Sequence, residues 1–418
     1  MSDSAPAVKP AMTADEKYAL ITANLQEVIS GDIIKKILPE RDIKIYWGTA
    51  TTGRPHAAYL VPAIKVAQFL QAGCTVKVLL ADLHAFLDAD KAPEGVLENR
   101  AQYYERTIRS LLKAVGVDLS RLVFVRGSSY QLTPEYTRDL LRLSKKVSVH
   151  DALRASSEIV KIMGEPCMAD GLYPLMQLLD EEYLDVDAEF GGLDQRKIFG
   201  LSHDAMPKLG FKNRCHLMNP MVPGLSGGKM SSSDPKSKID LLEDAASIKK
   251  KIAKAVCAPR EAAGNGVLSF IEHVIFPYSQ LQSADGVGSV TVTLKDDTEP
   301  TTFTKFADLA AAYTEDKLTP QLAKRIVEEG LTKLTDSIRA EYNADPKWQE
   351  IAAAAYPEPV APVKVKKEKK QKKPRGERPP AADGSASVAT TPAEGAEPTK
   401  TAEEEKKTNV VVPVQETA

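Results

Sequence analysis

The chain has 418 residues, 43% of them hydrophobic and 27% charged, with a formal net charge of −2. That length suits two domains and a tail. No run of about 18 apolar residues offers a membrane span, and so small a net charge excludes nucleic-acid binding through bulk charge alone.

The first 40 residues read as a helical segment around Leu20, Ile21, Leu25, Val28 and Ile29. Residues 44–48 read as a strand, followed by a turn and a helix over about 56–71. Residues 75–80 form a β-branched apolar run bounded by Gly73 and Asp82. A helix over about 94–115 and a strand at 122–125 follow. Such alternation predicts a parallel sheet with helices on both faces, and the unbroken apolar strands predict burial on both sides. Residues 128–170 read as a mainly helical insertion. The alternation resumes with a helix over 174–184, a strand at 186–190, a helix from about 194 and a strand at 216–218. Residues 223–238 are a Gly/Ser/Lys-rich loop. Helical patterns dominate 245–356, with a β-like interruption near 283–303. Beyond Pro357 the chain turns to Pro, Lys, Ala, Glu and Thr, a composition that cannot bury a core and predicts disorder.

The expected fold class is therefore α/β. A Rossmann-like, doubly wound parallel sheet spans 41–238, with 1–40 before it and 128–170 inserted in it. A mainly helical domain over 239–357 and a disordered tail over 358–418 complete the chain. Within the tail, residues 364–378 hold nine bases and two acids, and 379–418 hold seven acids and three bases. The N-terminus has no hydrophobic stretch and does not read as a secretory signal, and the C-terminus matches no lipidation or peroxisomal address. Cys74, Cys167, Cys215 and Cys257 are too scattered for a metal clip or a disulfide framework. Cys215-His216 with His203 can be imagined as ligands, but separate structural roles fit the spacing better. The scattered thiols fit a reducing, cytoplasmic compartment.

Two segments have the chemistry of a nucleotide site. Gly48-Thr49-Ala50-Thr51-Thr52-Gly53-Arg54-Pro55-His56 follows a buried strand and opens a helix. Free backbone amides and a positive dipole end gather at such a turn, and both suit phosphate. A polar turn with a helix cap is the plainer alternative. Gly224-Leu225-Ser226-Gly227-Gly228-Lys229-Met230-Ser231-Ser232-Ser233 offers one lysine and three clustered hydroxyls that can clamp a polyphosphate. It is not a P-loop, because Pro223 and Met230 stand where that motif needs Gly and Ser or Thr. A flexible linker is its plainer alternative.

Together the two segments resemble the HIGH and KMSKS signatures of class I aminoacyl-tRNA synthetases. Pro55-His56-Ala57-Ala58 stands in the first place and Lys229-Met230-Ser231-Ser232-Ser233 in the second. The second His of HIGH is missing and Ser233 replaces the second Lys of KMSKS. Both departures are like those of archaeal and eukaryotic cytosolic tyrosyl-tRNA synthetases. The resemblance covers about residues 15–357. It implies activation of L-tyrosine by ATP, transfer to tRNA(Tyr), a homodimer joined through 128–170, and an anticodon-binding role for the helical region. It implies ATP with Mg²⁺ as the substrate complex, without a tightly bound cofactor or a resident metal.

The same resemblance assigns a pocket. Residues matching Tyr46 and Asp180 hold the substrate phenol; those matching Tyr173, Gln177 and Gln195 hold its ammonium and carboxylate end. Tyr173, Gln177 and Asp180 lie at i, i+4 and i+7, so one helix face presents all three. A phenol donates one hydrogen bond and accepts another, which suits an Asp acceptor and a Tyr donor. Tyrosyl enzymes are the standing example of such discrimination against phenylalanine, roughly 10⁵-fold without editing. Thr49, Thr52, His56, Lys229, Ser231, Ser232 and Ser233 are the expected catalytic set. Gly48, Gly53, His56, Gly191, Gly192, Asp194 and Lys229 are the expected ATP contacts. Asp194 is a candidate acceptor for a ribose hydroxyl, and His84 is a secondary candidate near the pocket. Lys249, Lys250, Lys251 and Lys254 form a basic helix face open to three readings: solvated, RNA-contacting or import-receptor-binding. The rival readings are a tryptophanyl-tRNA synthetase and a non-catalytic RNA-binding protein on the same fold.

Overall fold

The computed structural model describes residues 12–88, 91–160, 164–224 and 238–357. The expected tail, Lys229, Ser231, Ser232 and Ser233 lie outside the described residues.

The six-stranded sheet consists of β1 (Glu27–Ile29), β2 (Lys44–Ala50), β3 (Thr75–Ala81), β4 (Leu122–Arg126), β5 (Ala188–Gly192) and β6 (Cys215–Asn219), in the order β1-β6-β5-β2-β3-β4. All neighbours are parallel except β1, which runs antiparallel to β6 with Val28 opposite Leu217. The expected helical reading of residues 1–40 is corrected at this point. Among the described residues of this stretch, α1 (Ala14–Thr22) and α2 (Gly31–Ile37) are the helices; Glu27–Ile29 instead satisfies the edge of β6.

Strand order reverses at β2, which has β3 on one side and β5 on the other. In open α/β sheets such a switch point leaves a crevice beyond the carboxyl ends of the strands. Both faces are covered, as the apolar strands predict. Ile45, Trp47, Val76, Val78 and Leu80 join α3 (Leu60–Gln71) and α5 (Leu97–Val115) in the largest core. Their alternate neighbours Tyr46, Leu79 and Ala81 meet Leu184 and Val186 on the opposite face.

The short helix α4 (Asp82–Leu87) follows β3. The insertion is helical, as expected, in α6 (Ser128–Gln131), α7 (Pro134–Ser144) and α8 (Val149–Ser156). Then α9 runs over Met168–Tyr183 and starts before the expected position, because Pro174 lies inside it. Proline has no N–H to give to the carbonyl four residues back. The Ser156 hydroxyl donates to that Asp170 carbonyl instead, at 3.2 Å. α10 (Arg196–Ala205) precedes β6.

The remaining elements are α11 (Ala245–Ala253), α12 (Gly266–Phe270), α13 (Phe276–Gln282), the hairpin β7 (Val290–Thr293) and β8 (Pro300–Phe303), α14 (Phe306–Thr314), α15 (Pro320–Ala344) and α16 (Pro346–Ala355). The described residues fall in one compact unit, and α15 and α16 pack on α5. On α11, Lys251 pairs with Glu243 and Lys249 lies 3.7 Å from Glu328, so these two are engaged within the protein. Lys250 and Lys254 are exposed. All four cysteines are free, and Cys215 sits in the main core.

Candidate active site

A cavity of about 380 Å³ opens at the carboxyl ends of β2 and β5. Tyr46, Gly48 and Thr49 reach it from β2, and Thr52 and His56 from the following turn. His84 comes from α4, and Tyr173, Gln177 and Asp180 from α9. Gly191 and Gly192 end β5; Asp194 and Gln195 follow in the next turn. Gly53 is not among the lining residues. Its carbonyl accepts from Tyr104 and, at 3.1 Å, from Tyr356.

One end of the cavity is built around Asp180, which is fully buried. Its Oδ1 accepts from Tyr130 Oη at 2.7 Å, Gln131 Nε2 at 2.8 Å and Tyr136 Oη at 3.0 Å. Its Oδ2 has no hydrogen-bond partner. Burial pushes the carboxyl group up to about 7, against the pull of those three donors. The buried Tyr46 hydroxyl makes no well-formed hydrogen bond either, and burial together with the Glu189 carboxyl raises its pKa well above the ordinary range. Buried polar atoms are usually satisfied. The Asp180 acceptor and the Tyr46 hydroxyl at one cavity suit a group that both donates and accepts. His84 closes this end, edge-on to Tyr173 at 4.7 Å and 3.9 Å from Asp180 Oδ2. Burial lowers its pKa to about 4, so it is neutral at pH 7.

The middle of the cavity carries an amide pair. Gln177 Nε2 donates to Glu189 Oε1 at 2.8 Å and to Gln195 Oε1 at 3.0 Å. The two glycines of β5 make room for this turn. A Cβ on Gly191 would fall 2.8 Å from Gln195 Cγ, and one on Gly192 2.6 Å from Asp194 Oδ1. The chain's own side chains therefore take the space that the sequence reserves there.

The third part is the turn after β2. Thr49 Oγ1 lies 3.0 Å from Tyr59 Oη. His56 caps the helix that follows, its Nδ1 accepting from Ala58 N at 3.4 Å, which leaves the ring proton on Nε2. Burial, and then Lys238, lower the His56 pKa to about 4, so the ring is neutral here too. His56 bridges Asp240, and Ala57 N donates to Ile239 O at 2.8 Å. Residues 239 and 240 are thus stitched to this turn.

The sequence reading did not anticipate Glu189, Tyr130, Gln131 or Tyr136. An acid at an inner position of the strand-like segment 186–190 was the available signal for Glu189, shared with Asp187; no local pattern marks the other three.

The family described as class I tRNA synthetases (W and Y) matches residues 38–335. The chain belongs to this family. Among its relatives, the cytoplasmic tyrosine–tRNA ligase of Saccharomyces cerevisiae is 48% identical over 380 residues, covering 90% of this chain and 96% of that protein. The one from Gallus gallus is 51% identical over 346 residues, 82% of this chain and 64% of its own length. A crystal structure of the tyrosyl-tRNA synthetase from Archaeoglobus fulgidus, complexed with L-tyrosine, is 29% identical. It has a TM-score of 0.71 and covers 78% of this chain and 99% of that one. This class I synthetase thus has its cavity where the fold places ligands, and its relatives carry the tyrosine name.

Proposed function

We infer that this chain is a tyrosine–tRNA ligase: it activates tyrosine with ATP and transfers it to tRNA(Tyr). The observation that carries the reading is the pairing of Asp180 Oδ2 with the Tyr46 hydroxyl at one cavity. A phenol hydroxyl donates to the first and accepts from the second. An indole N–H only donates, so tryptophan would leave Tyr46 buried without an acceptor. Phenylalanine would leave both groups unsatisfied. Tyr173, Gln177 and Gln195 meet the amino-acid end, which turns the carboxylate toward the nucleotide turn.

The carboxylate attacks the α-phosphorus of ATP, and pyrophosphate leaves. It is already ionised at neutral pH, so the step needs no general base. The protein's task is to align two anions and to stabilise charge growing on phosphate. Thr49, Thr52 and the neutral His56 supply donors, backbone around Gly48 and Gly192 allows close approach, and Asp194 takes a ribose hydroxyl. Lys229 and Ser231–Ser233 close over the phosphates from the segment that ends beside His56. ATP enters as its Mg²⁺ complex. The compartment is the cytoplasm, as in the relatives' names.

Two copies associate through the inserted region, where Leu132, Leu141, Val149 and Met168 are all strongly exposed. Lys250 and Lys254 are the RNA-contact candidates that remain accessible.

Pyrophosphate exchange with each of the twenty amino acids tests the reading. Exchange with tyrosine alone, followed by charging of tRNA, is expected; exchange with tryptophan, or none, overturns it. Lys229→Ala should slow adenylate formation at least about a hundredfold with little change in tyrosine affinity. An unchanged single-turnover rate would remove Lys229 from the mechanism.

A further inference from the structure

Behind the amino-acid pocket lies a buried polar row. Sheet register sets Tyr46 of β2 beside Glu189 of β5, and Glu189 beside His216 of β6. Neighbouring strands lie about 4.8 Å apart, so three side chains on one face must interact. From α9, Glu181 joins them. Carboxylate oxygens of Glu181 and Glu189 and a ring nitrogen of His216 all lie within 4.8 Å of one another. His216 Nε2 bonds Glu181 Oε1 at 2.8 Å, and the Ser202 hydroxyl donates to the same oxygen at 2.9 Å. His216 Nδ1 bonds His203 Nε2 of α10 at 3.2 Å. Both nitrogens of His216 are thereby used, so this cluster is a hydrogen-bonded relay rather than a cation site.

Two carboxyl oxygens in this cluster, Glu181 Oε2 and Glu189 Oε2, have no hydrogen-bond partner. Both residues are buried, and an oxygen of one carboxyl group lies within 4.8 Å of an oxygen of the other. Two buried carboxylates this close oppose each other's ionisation, so the pair holds one proton. The surroundings decide which keeps it. Glu181 faces His216, Ser202 and, at longer range, Arg214, and these hold it below the usual range against the upward push of burial. Glu189 faces Tyr46, Gln177 and the Glu181 charge; burial and that charge hold it well above the usual range.

We propose that Glu189 is a positioning residue for the amino end of the substrate: it stands as a neutral acid that donates to Glu181 and accepts from Gln177. The consequence concerns the Gln177 amide. Its two N–H bonds go to Glu189 Oε1 and Gln195 Oε1, so its carbonyl is left as an acceptor at the cavity it lines. An ammonium group needs that acceptor. Without Glu189 the amide is free to rotate and present hydrogens to a cation.

This inference rests on the tyrosine-activating reading, and one experiment separates the two. Pyrophosphate exchange is measured on the full-length protein and on Glu189→Gln and Glu189→Ala, with thermal unfolding as a check on folding. Glutamine copies the neutral acid: its N–H₂ donates to Glu181 and its carbonyl accepts from Gln177. Glu189→Gln is expected within about threefold of the parent in KM for tyrosine, with an unchanged pH profile of KM between pH 6 and 8. Glu189→Ala is expected to raise that KM about tenfold or more while kcat changes little. An ionised Glu189 acting by its charge predicts that Gln is as damaging as Ala, and that outcome overturns the proposal. Equal KM in all three proteins also overturns it. Absence of tyrosine exchange in the parent protein instead sinks the functional reading.

Discussion

Asp180 receives three donors on one oxygen and none on the other, and this asymmetry sets two predictions. In Asp180→Asn the Tyr130, Gln131 and Tyr136 donors hold the new carbonyl, which turns the N–H₂ toward the cavity. A substrate phenol then meets two donors, and the preference for tyrosine over phenylalanine should fall by about two orders of magnitude in kcat/KM. The second prediction concerns pH. The folded pKa of Asp180, about 7, lies above its ordinary value of 3.8, so the unliganded fold holds a proton that the unfolded chain releases. That stabilisation is complete below about pH 4 and is lost as pH rises through 7. Tyrosine needs the ionised acceptor. Its affinity should therefore rise, and its protection against thermal unfolding should grow, between pH 6 and 8. Fluorescence titration and melting curves across that range check both; a flat response would mean that Asp180 does not titrate there. At this scale helical spacing put Tyr173, Gln177 and Asp180 on one face, but periodicity alone reads Gln177 and Asp180 as the polar face of an amphipathic helix; the family resemblance singled them out. Glu189 was not, because its meaning comes from strands 143 and 27 positions away, at Tyr46 and His216.

At the scale of elements, the turn after β2 that we assign to the nucleotide is held from a residue about 300 positions later. Tyr356, just past α16, donates to the Gly53 carbonyl, and its ring stacks under Arg54 at 5.2 Å and Arg100 at 5.0 Å. Tyr356→Ala should raise KM for ATP severalfold and leave KM for tyrosine unchanged in the exchange assay, because only the nucleotide turn loses a tether. Equal effects on both substrates would show a general loosening instead. The long elements of the sheet were readable from apolar runs and turn residues. β1 was not: three residues become a strand because β6, about 190 residues later, offers an edge, and edge pairing overrides local propensity. The Gly53 contact was missed for a similar reason, since a local turn motif cannot announce that its carbonyl is taken by distant tyrosines.

At the scale of the whole molecule, the reversal of strand order at β2 brings residues from 46 to 195 around one crevice. The helices beyond 245 pack on α5 and share the same compact unit. Sequence patterning read 41–238 as a sheet with helices and 239–357 as mainly helical, and it held no sign that they share a core. A chain ending at Pro357 should keep full tyrosine-dependent exchange, and its affinity for tRNA should depend less steeply on salt, because residues 364–378 supply cationic contacts. Filter binding at several ionic strengths measures that slope. The proline within α9 has a mechanical side as well. Ser156 ends the helix that begins with the exposed Val149, and its hydroxyl grips the carbonyl of Asp170, three residues before Tyr173. A load on that surface would therefore reach the helix that carries Tyr173, Gln177 and Asp180 directly, because α8 packs along α9 and the Ser156 bond ties their ends.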